Sequence, residues 1–214
     1  MINLYNRDCL EAMREMADNS YDLAIVDPPY FQEFSTSKYT GGTYSTTGIK
    51  RNHQKSKYWD IPNEKYFNEL IRVSKNQIIW GINYYCQYVY SPGRIVWDKQ
   101  NDSSTFSKCE IASHSFGVRV DQFRYRWNGM LQADMRNKEI RIHPCQKPIA
   151  LYHWLLSNYA KKGDKILDTH LGSGSIAIAC HDMGFDLDGY ELDAEYYAAA
   201  KNRLHQHQKQ LQLF

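Results

Sequence analysis

The sequence predicts an α/β fold built on a mostly parallel sheet with helices on both faces. Three observations point to it. Leu23-Ala24-Ile25-Val26 is a short apolar run rich in branched residues, the pattern of a strand buried on both faces of a parallel sheet. Asp27-Pro28-Pro29 stops that run abruptly, because two prolines fix φ and remove two amide donors. From Pro148 onward the chain alternates helix, strand, helix, strand, helix, the order that generates parallel strands covered by helices.

Taken in order, Ile2 to Tyr5 reads as a strand. Asp8 to Met16 reads as a helix, with apolar residues at Cys9, Ala12, Met13 and Met16. The strand ending at Asp27 follows. Residues 31–62 form a long polar stretch that carries Lys38, Lys50, Arg51, Lys55 and Lys57. A stretch this long inside a compact domain is usually functional or disordered, and a mobile surface insertion is the alternative. Pro62 opens a helix that runs to about Lys75, with Tyr66, Phe67, Leu70, Ile71 and Val73 as its apolar face. Gln77 to Trp80 is a strand, Asn83 to Tyr90 a short aromatic helix and Ile95 to Trp97 another strand, followed by a polar loop from Asp98 to Ser107. Glu110–Phe116 and Val118–Trp127 read as a hairpin around Gly117. In its second arm Phe123, Tyr125 and Trp127 share one face and alternate with Arg124 and Arg126. That alternation fits a half-buried strand with solvated arginines, or a DNA-facing strand. Pro148–Lys161 is a helix ended by Gly163, Lys165–Asp168 a strand, Gly174–Met183 a helix, Asp186–Tyr190 a strand and Ala194 to about Gln210 a helix.

Composition narrows the class. At 214 residues the chain fits one domain, 1–214, with a sizeable core, and its 43% hydrophobic and 23% charged residues are ordinary for a globular protein. The net charge of +2 gives no global basic field, so any nucleic-acid surface must be local. The five cysteines are scattered without a C-x-x-C pair, which argues against structural zinc and a disulfide framework. No N-terminal basic-then-apolar segment and no membrane-length apolar run is present, so a cytoplasmic location and no membrane partner are expected.

Two stretches carry chemistry. Asp27-Pro28-Pro29-Tyr30 leaves a carboxylate, stiff carbonyls and an aromatic ring at a strand's carboxyl end, where α/β sheets bind ligands. Asp168-Thr169-His170-Leu171-Gly172-Ser173-Gly174 is a strand end, a glycine-rich loop and a helix start. Glycines let a ligand approach the backbone, and the helix start offers free amides. Glu191, at the end of the next strand, can accept both hydroxyls of a ribose. The loop lacks the third glycine of a dinucleotide site, and Asp168 suits a cationic ligand bearing an amino acid better than a pyrophosphate. S-adenosyl-L-methionine (AdoMet) is such a ligand. The alternative is a tight turn with an incidental acid.

On these residues the chain resembles the amino-methylating DNA methyltransferases. Asp27 to Tyr30 matches their D-P-P-Y motif, and Asp168 to Gly174 resembles their AdoMet loop, with Thr169-His170 in place of Pro-Phe. Glu191 falls on the ribose-binding acid. His143-Pro144-Cys145-Gln146-Lys147-Pro148 is similar to the H-P-x-x-K-P motif beside the cofactor's methionine end, and Asp8-Cys9 to the pair near the adenine. The catalytic motif precedes the cofactor loop, the permuted order of the beta group. The resemblance implies a Rossmann-like class I AdoMet-dependent methyltransferase fold, in which the strands ending at Asp27 and Asp168 are central neighbours. It implies catalysis by Asp27, Pro28, Pro29 and Tyr30, and AdoMet contacts from Asp8, Cys9, Lys147, Asp168, Thr169, Gly172, Gly174 and Glu191. Double-stranded DNA is the implied partner, met by the 31–62 cations, by Arg124 and Arg126, and by a small recognition segment around residues 98–142. A homodimer and a companion restriction endonuclease are left open.

The implied reaction is methylation of N6 of a flipped-out adenine. An exocyclic amine is a poor nucleophile because its lone pair is delocalised into the ring. Two acceptors, the Asp27 carboxylate and the Pro28 carbonyl, free that pair, while Tyr30 stacks on the base. The resemblance links Asp at the first motif position mainly to adenine. N4 of cytosine remains an alternative, and so does a non-catalytic nucleotide- or DNA-binding module. Against a protein glutamine acceptor stand Asp27 where an Asn is usual and the order of the motifs.

Overall fold

The computed structural model describes residues 1–30, 59–102, 107–128 and 131–211. The strands are β1 (Ile2–Tyr5), β2 (Tyr21–Val26), β3 (Ser74–Trp80), β4 (Gly93–Asp98), β5 (Cys109–His114), β6 (Val120–Arg124), β7 (Trp127–Asn128), β8 (Leu131–Gln132), β9 (Lys165–Asp168) and β10 (Asp186–Tyr190). The helices are α1 (Cys9–Glu15), α2 (Glu64–Val73), α3 (Ile149–Tyr159), α4 (Ser175–Met183) and α5 (Ala194–Leu211). The main sheet has eight strands in the order β1-β10-β9-β2-β3-β5-β4-β6. Within it β5 alone runs against its neighbours. No helix among the described residues is long and apolar enough to cross a membrane.

The alternation of β2 explains why the sheet is covered on both faces. Leu23 and Ile25 join the core under α3, α4 and α5, with Leu151, Leu155, Ile176 and Leu204. Ala24 and Val26 join the core under α1 and α2, with Met13, Phe67, Leu70 and Val73. Every one of these β2 side chains is at most 1% exposed, so residues 23–26 of the strand are apolar and buried on both faces. β2 and β9 are the central pair, in parallel register with Leu23 opposite Ile166 and Ala24 opposite Leu167. From β9 the chain goes on to β10 and β1's side, and from β2 to β3 on the other side. The divergence makes a crevice at the carboxyl ends of β2 and β9.

Several expected boundaries move. Asn63, not Pro62, caps α2, accepting from the Lys65 amide at 3.0 Å. The helix stops at Val73 because Ser74 and Lys75 already belong to β3. Ile71 is 44% exposed and lies off the apolar face. The aromatic helix at 83–90 is a single 3₁₀ turn, Ile82–Tyr84, followed by turns. The hairpin around Gly117 does not form. β5 pairs antiparallel with β3 and β4, and β6 pairs parallel with the far side of β4. The reason is burial: β4 alternates buried Ile95 and Trp97, and it fills the place between the arms that a hairpin would close. The aromatic alternation on β6 does hold. Phe123 and Tyr125 stack at 5.7 Å against the core and Trp127 is buried, while Arg124 and Arg126 are exposed.

Candidate active site

Because β2 and β9 are parallel neighbours, Asp27 and Asp168 leave the sheet from the same edge. A cavity of about 510 Å³ opens there, a size ordinary for a small-molecule site. Asp27, Pro29 and Lys147 line one part of it, Thr169 to Ser173 another, and Glu191, Asp8 and Cys9 a third. Trp59 to Asn63 form part of the wall, so the end of the long polar stretch reaches the site.

At the Asp27 corner charges are paired under cover. Lys147 Nζ lies 2.5 Å from Oδ2 of Asp27 and 3.0 Å from Oε2 of Glu110. Lys99 pairs with the other oxygen of Glu110. Oδ1 of Asp27 is buried and has no hydrogen-bond partner among the described residues. Burial raises the Asp27 carboxyl above its usual range, against the pull of Lys147 and with a further push from Glu110. Burial works on Glu110 as well, but Lys147 and Lys99 outweigh it and hold that carboxyl down at about 2. The Pro-Pro carbonyls are fixed from below. The buried Tyr85 hydroxyl donates to Pro29 O at 2.5 Å and lies 3.3 Å from Pro28 O. Tyr30 and Tyr84 stack at 4.3 Å and 3°. Gly81 makes that stack possible: it sits at φ +70, and a Cβ there would meet the Tyr30 ring at 3.1 Å.

At the Asp168 corner the carboxylate has no such cation among the described residues. Asp168 is 2% exposed, and its Oδ1 accepts from the His170 amide at 3.0 Å. Burial pushes its carboxyl up to about 8, the His170 amide opposes that, and the charge of Asp27 adds to it. Gly172 turns at φ +53, and its amide donates to Oε2 of Glu191 at 2.9 Å. The other Glu191 oxygen accepts from the Asp193 amide at 2.9 Å. Gly174, at φ +70, packs so closely on α5 that a Cβ would meet Ala200 at 3.1 Å. Thr169-His170 is a built polar pair: the Thr169 hydroxyl lies 2.6 Å from the Tyr66 hydroxyl and 2.9 Å from His170 Nδ1. Burial lowers the His170 imidazole to about 4, so it is neutral. Asp8 caps α1 through the Glu11 amide at 2.8 Å. Burial pushes the adjacent Cys9 thiol up to about 12, which removes it as a nucleophile.

The segment 143–148 is clamped between the corners. Trp127 Nε1 donates to Gln146 O at 3.0 Å, and Ser175 Oγ donates to Lys147 O at 2.8 Å. Arg203 joins Glu139 at 2.7 Å and Ser173 O at 2.9 Å, while Glu139 accepts from the Ile149 amide at the start of α3. Lys147, expected beside the cofactor, lines the cavity and directs its ammonium to Asp27 and Glu110. Arg124 pairs with Asp98 at 3.1 Å on the exposed edge of the sheet. Lys38, Lys50, Arg51, Lys55 and Lys57 lie outside the described residues. Sequence reasoning missed Glu110, Lys99, Tyr66 and Tyr85. Glu110 heads an apolar run, and only the reversed direction of β5 carries it to the edge where Asp27 stands.

Residues 97–202 match the family model described as DNA methylase. The chain is similar to the Type II methyltransferase M.HpaI of Haemophilus parainfluenzae, with 25% identity over 92% of this chain and 72% of that protein. The crystal structure of an M1.HpyAVI–SAM complex superposes with a TM-score of 0.60 at 19% identity, covering 95% of this chain and 100% of the other. The cytosine-N4-specific PvuII DNA methyltransferase does so with a TM-score of 0.61 at 11% identity, covering 97% and 90%.

Proposed function

We propose that this chain is an AdoMet-dependent amino-methylating DNA methyltransferase, like the proteins it resembles, and that it methylates N6 of an adenine turned out of double-stranded DNA. The observation that carries the reading is Oδ1 of Asp27, a buried carboxylate oxygen without a hydrogen-bond partner among the described residues; the proposed second acceptor is the carbonyl of the next residue, Pro28. A buried anionic acceptor is costly to leave unmet. An amine carries two N–H donors, and these two acceptors meet both. Drawing both hydrogens toward the protein favours a tetrahedral nitrogen and frees its lone pair for attack.

The residues present fit the cofactor. Asp168 is a buried acid with no ion-pair partner among the described residues, suited to an ammonium. Gly172 lines the cavity without a side chain to fill it, Gly174 lets the loop pack against α5, and Glu191, also on the cavity wall, is the acid assigned to the ribose. When bound, AdoMet supplies a methyl group on a cationic sulfur, which keeps the S–C bonding pair as the new N–C bond forms. The chain's own residues do the rest. Asp27 and Pro28 orient the amine, Tyr30 backed by Tyr84 is the stacking plate, and Asp27 or water takes the proton that nitrogen sheds. A paired base does not reach the cavity, and turning it out costs on the order of a few kcal/mol.

The choice of adenine rests on Asp27, since Asp at this motif position goes mainly with adenine in the family. A fold shared with a cytosine-N4-specific enzyme does not choose the base. Backbone contacts with DNA are assigned to the 31–62 cations and to exposed Arg124 and Arg126. The test is digestion of treated, unmethylated DNA to nucleosides, followed by chromatography and mass spectrometry. N6-methyladenine is expected; N4-methylcytosine without methyladenine would overturn the assignment.

A further inference from the structure

Glu110 and Lys99 belong to neither sequence constellation, yet they complete a covered chain of alternating charge: Lys99, Glu110, Lys147, Asp27. Its side chains are 16%, 24%, 4% and 16% exposed in that order. The chain ends unevenly. At Asp27 one oxygen, Oδ2, takes the ammonium, and the other, Oδ1, is left without a partner among the described residues. We propose that Lys147 and Glu110 are positioning residues for methyl transfer: Glu110 draws the Lys147 ammonium to the Oδ2 side of Asp27, so that Oδ1 is the oxygen presented to the target amine. The proposal rests on the reading of Asp27 as the amine's acceptor.

The need for Glu110 follows from the chemistry of lysine. Its ammonium is a compact charge on a flexible stem and has no preferred carboxylate oxygen. Held by Asp27 alone, it would be free to bridge both oxygens and close Oδ1. Glu110, at 3.0 Å, pulls from one side, and the Trp80 ring, 5.4 Å from Nζ, walls another. Lys99 fixes Glu110 in turn, with its own Nζ 5.1 Å from the Trp97 ring. There is also a charge argument. The nitrogen forms its bond to methyl with its own lone pair, becomes cationic and then releases one proton. An Asp27–Lys147 pair by itself is neutral and offers that nitrogen little field. Glu110 offsets Lys147, and the balancing Lys99 stands at the outer end of the chain. Two acids and two bases also leave the buried cluster without net charge, which limits its desolvation cost.

The test is single-turnover transfer of tritiated methyl from AdoMet to duplex DNA across pH 5 to 9, with calorimetric AdoMet titration alongside. Besides Lys147, Glu110 and Lys99, the groups facing Asp27 are the hydroxyls of Tyr30, Tyr85 and Tyr152, the Cys145 thiol and the Asp168 carboxyl, all unchanged in the variants. Lys147→Met removes the cation that favours ionised Asp27, so the acidic limb of the rate profile moves up by at least about one pH unit. Glu110→Gln removes a negative charge, so the limb moves down, while the plateau rate falls at least about tenfold as the ammonium loses its anchor. AdoMet affinity stays at the parent value in both. Unmoved profiles, or shifts in the same direction, overturn the proposal. So does a loss of AdoMet affinity matching the loss of rate, which would make Lys147 a cofactor ligand. If Glu110→Gln does not fold, Lys99→Gln reads the chain from its outer end; the limb then moves up, and an unmoved limb overturns the proposal. Asp27→Ala, which leaves no side-chain acceptor, separates the two readings. Parent-like activity there removes Asp27 as acceptor, whereas an inactive Asp27→Ala beside parent-like Glu110→Gln and Lys147→Met removes only the positioning role.

Discussion

Asp27 and Asp168 end neighbouring strands of one sheet, both in the interior, yet their surroundings differ. Asp27 has a lysine ammonium at 2.5 Å on one oxygen and, among the described residues, no hydrogen-bond partner on the other. Asp168 has a backbone amide at 3.0 Å and no ion-pair partner among the described residues. Its carboxyl is accordingly pushed up to about 8 by burial. On the proposed reading, the difference tracks the ligand each would meet. An acid awaiting a cation does best without a resident one, because a resident cation would compete with the ligand. An acid that must orient a neutral amine needs its charge kept and its direction set, and a fixed counter-ion on the far oxygen does both.

The largest effect that would break this contrast is on rate. Asp27→Ala is expected to lower methyl transfer by about 10²–10⁴-fold, with AdoMet affinity little changed by calorimetry. A loss of affinity equal to the loss of rate would place Asp27 with the cofactor and dissolve the contrast. Next come Asp168→Ala and Glu191→Ala. Each should weaken AdoMet binding by about 1–3 kcal/mol, the usual cost of a lost charge-assisted hydrogen bond. Parent-like titration curves in both would show that the glycine loop is not the cofactor site.

A subtler measurement uses pH. The Asp168 carboxyl, at about 8 in the folded protein, lies above its value of about 3.9 in an unfolded chain. The folded state therefore binds this proton more tightly. The contribution to stability is fully present below about pH 4 and is lost as pH rises through about 8. Asp168→Asn, free of AdoMet, should exceed the parent in urea unfolding by on the order of 1–3 kcal/mol at pH 8, converging toward pH 4. A constant difference across that range would mean that Asp168 does not titrate as its burial implies. The smallest effect belongs to an exposed pair. Arg124→Ala, which breaks the contact with Asp98 on the solvated edge, should leave the unfolding midpoint where it was. If Arg124 meets a phosphate, the slope of log DNA affinity against log salt falls by roughly 0.9. An unchanged slope would return Arg124 to a surface role.

Much of the fold was legible because it rests on local periodicity. The apolar run at Leu23–Val26, the proline stop after Asp27 and the strand–glycine–helix passage from Lys165 to Met183 all stand in the structure. The reading failed where two plausible strands had to choose partners. Val118–Trp127 has strand periodicity in either pairing, and the choice of β4 over β5 depends on which neighbour buries Ile95 and Trp97. Pattern alone does not contain that information.

By itself, the sequence determined the chemistry that local order can carry: a carboxylate and stiff carbonyls at one strand end, and a glycine loop with an acid before and after it at another. Only the tertiary structure decided which charges meet. Lys147 lies 120 residues from Asp27 in the chain, and nothing in the local pattern of either announces the other. β2 and the reversed β5 bring Asp27 and Glu110 to one edge of the sheet, and the loop before α3, held by Ser175, brings Lys147 between them. An ion pair depends on distance and burial, and both are set by how strands are ordered in space.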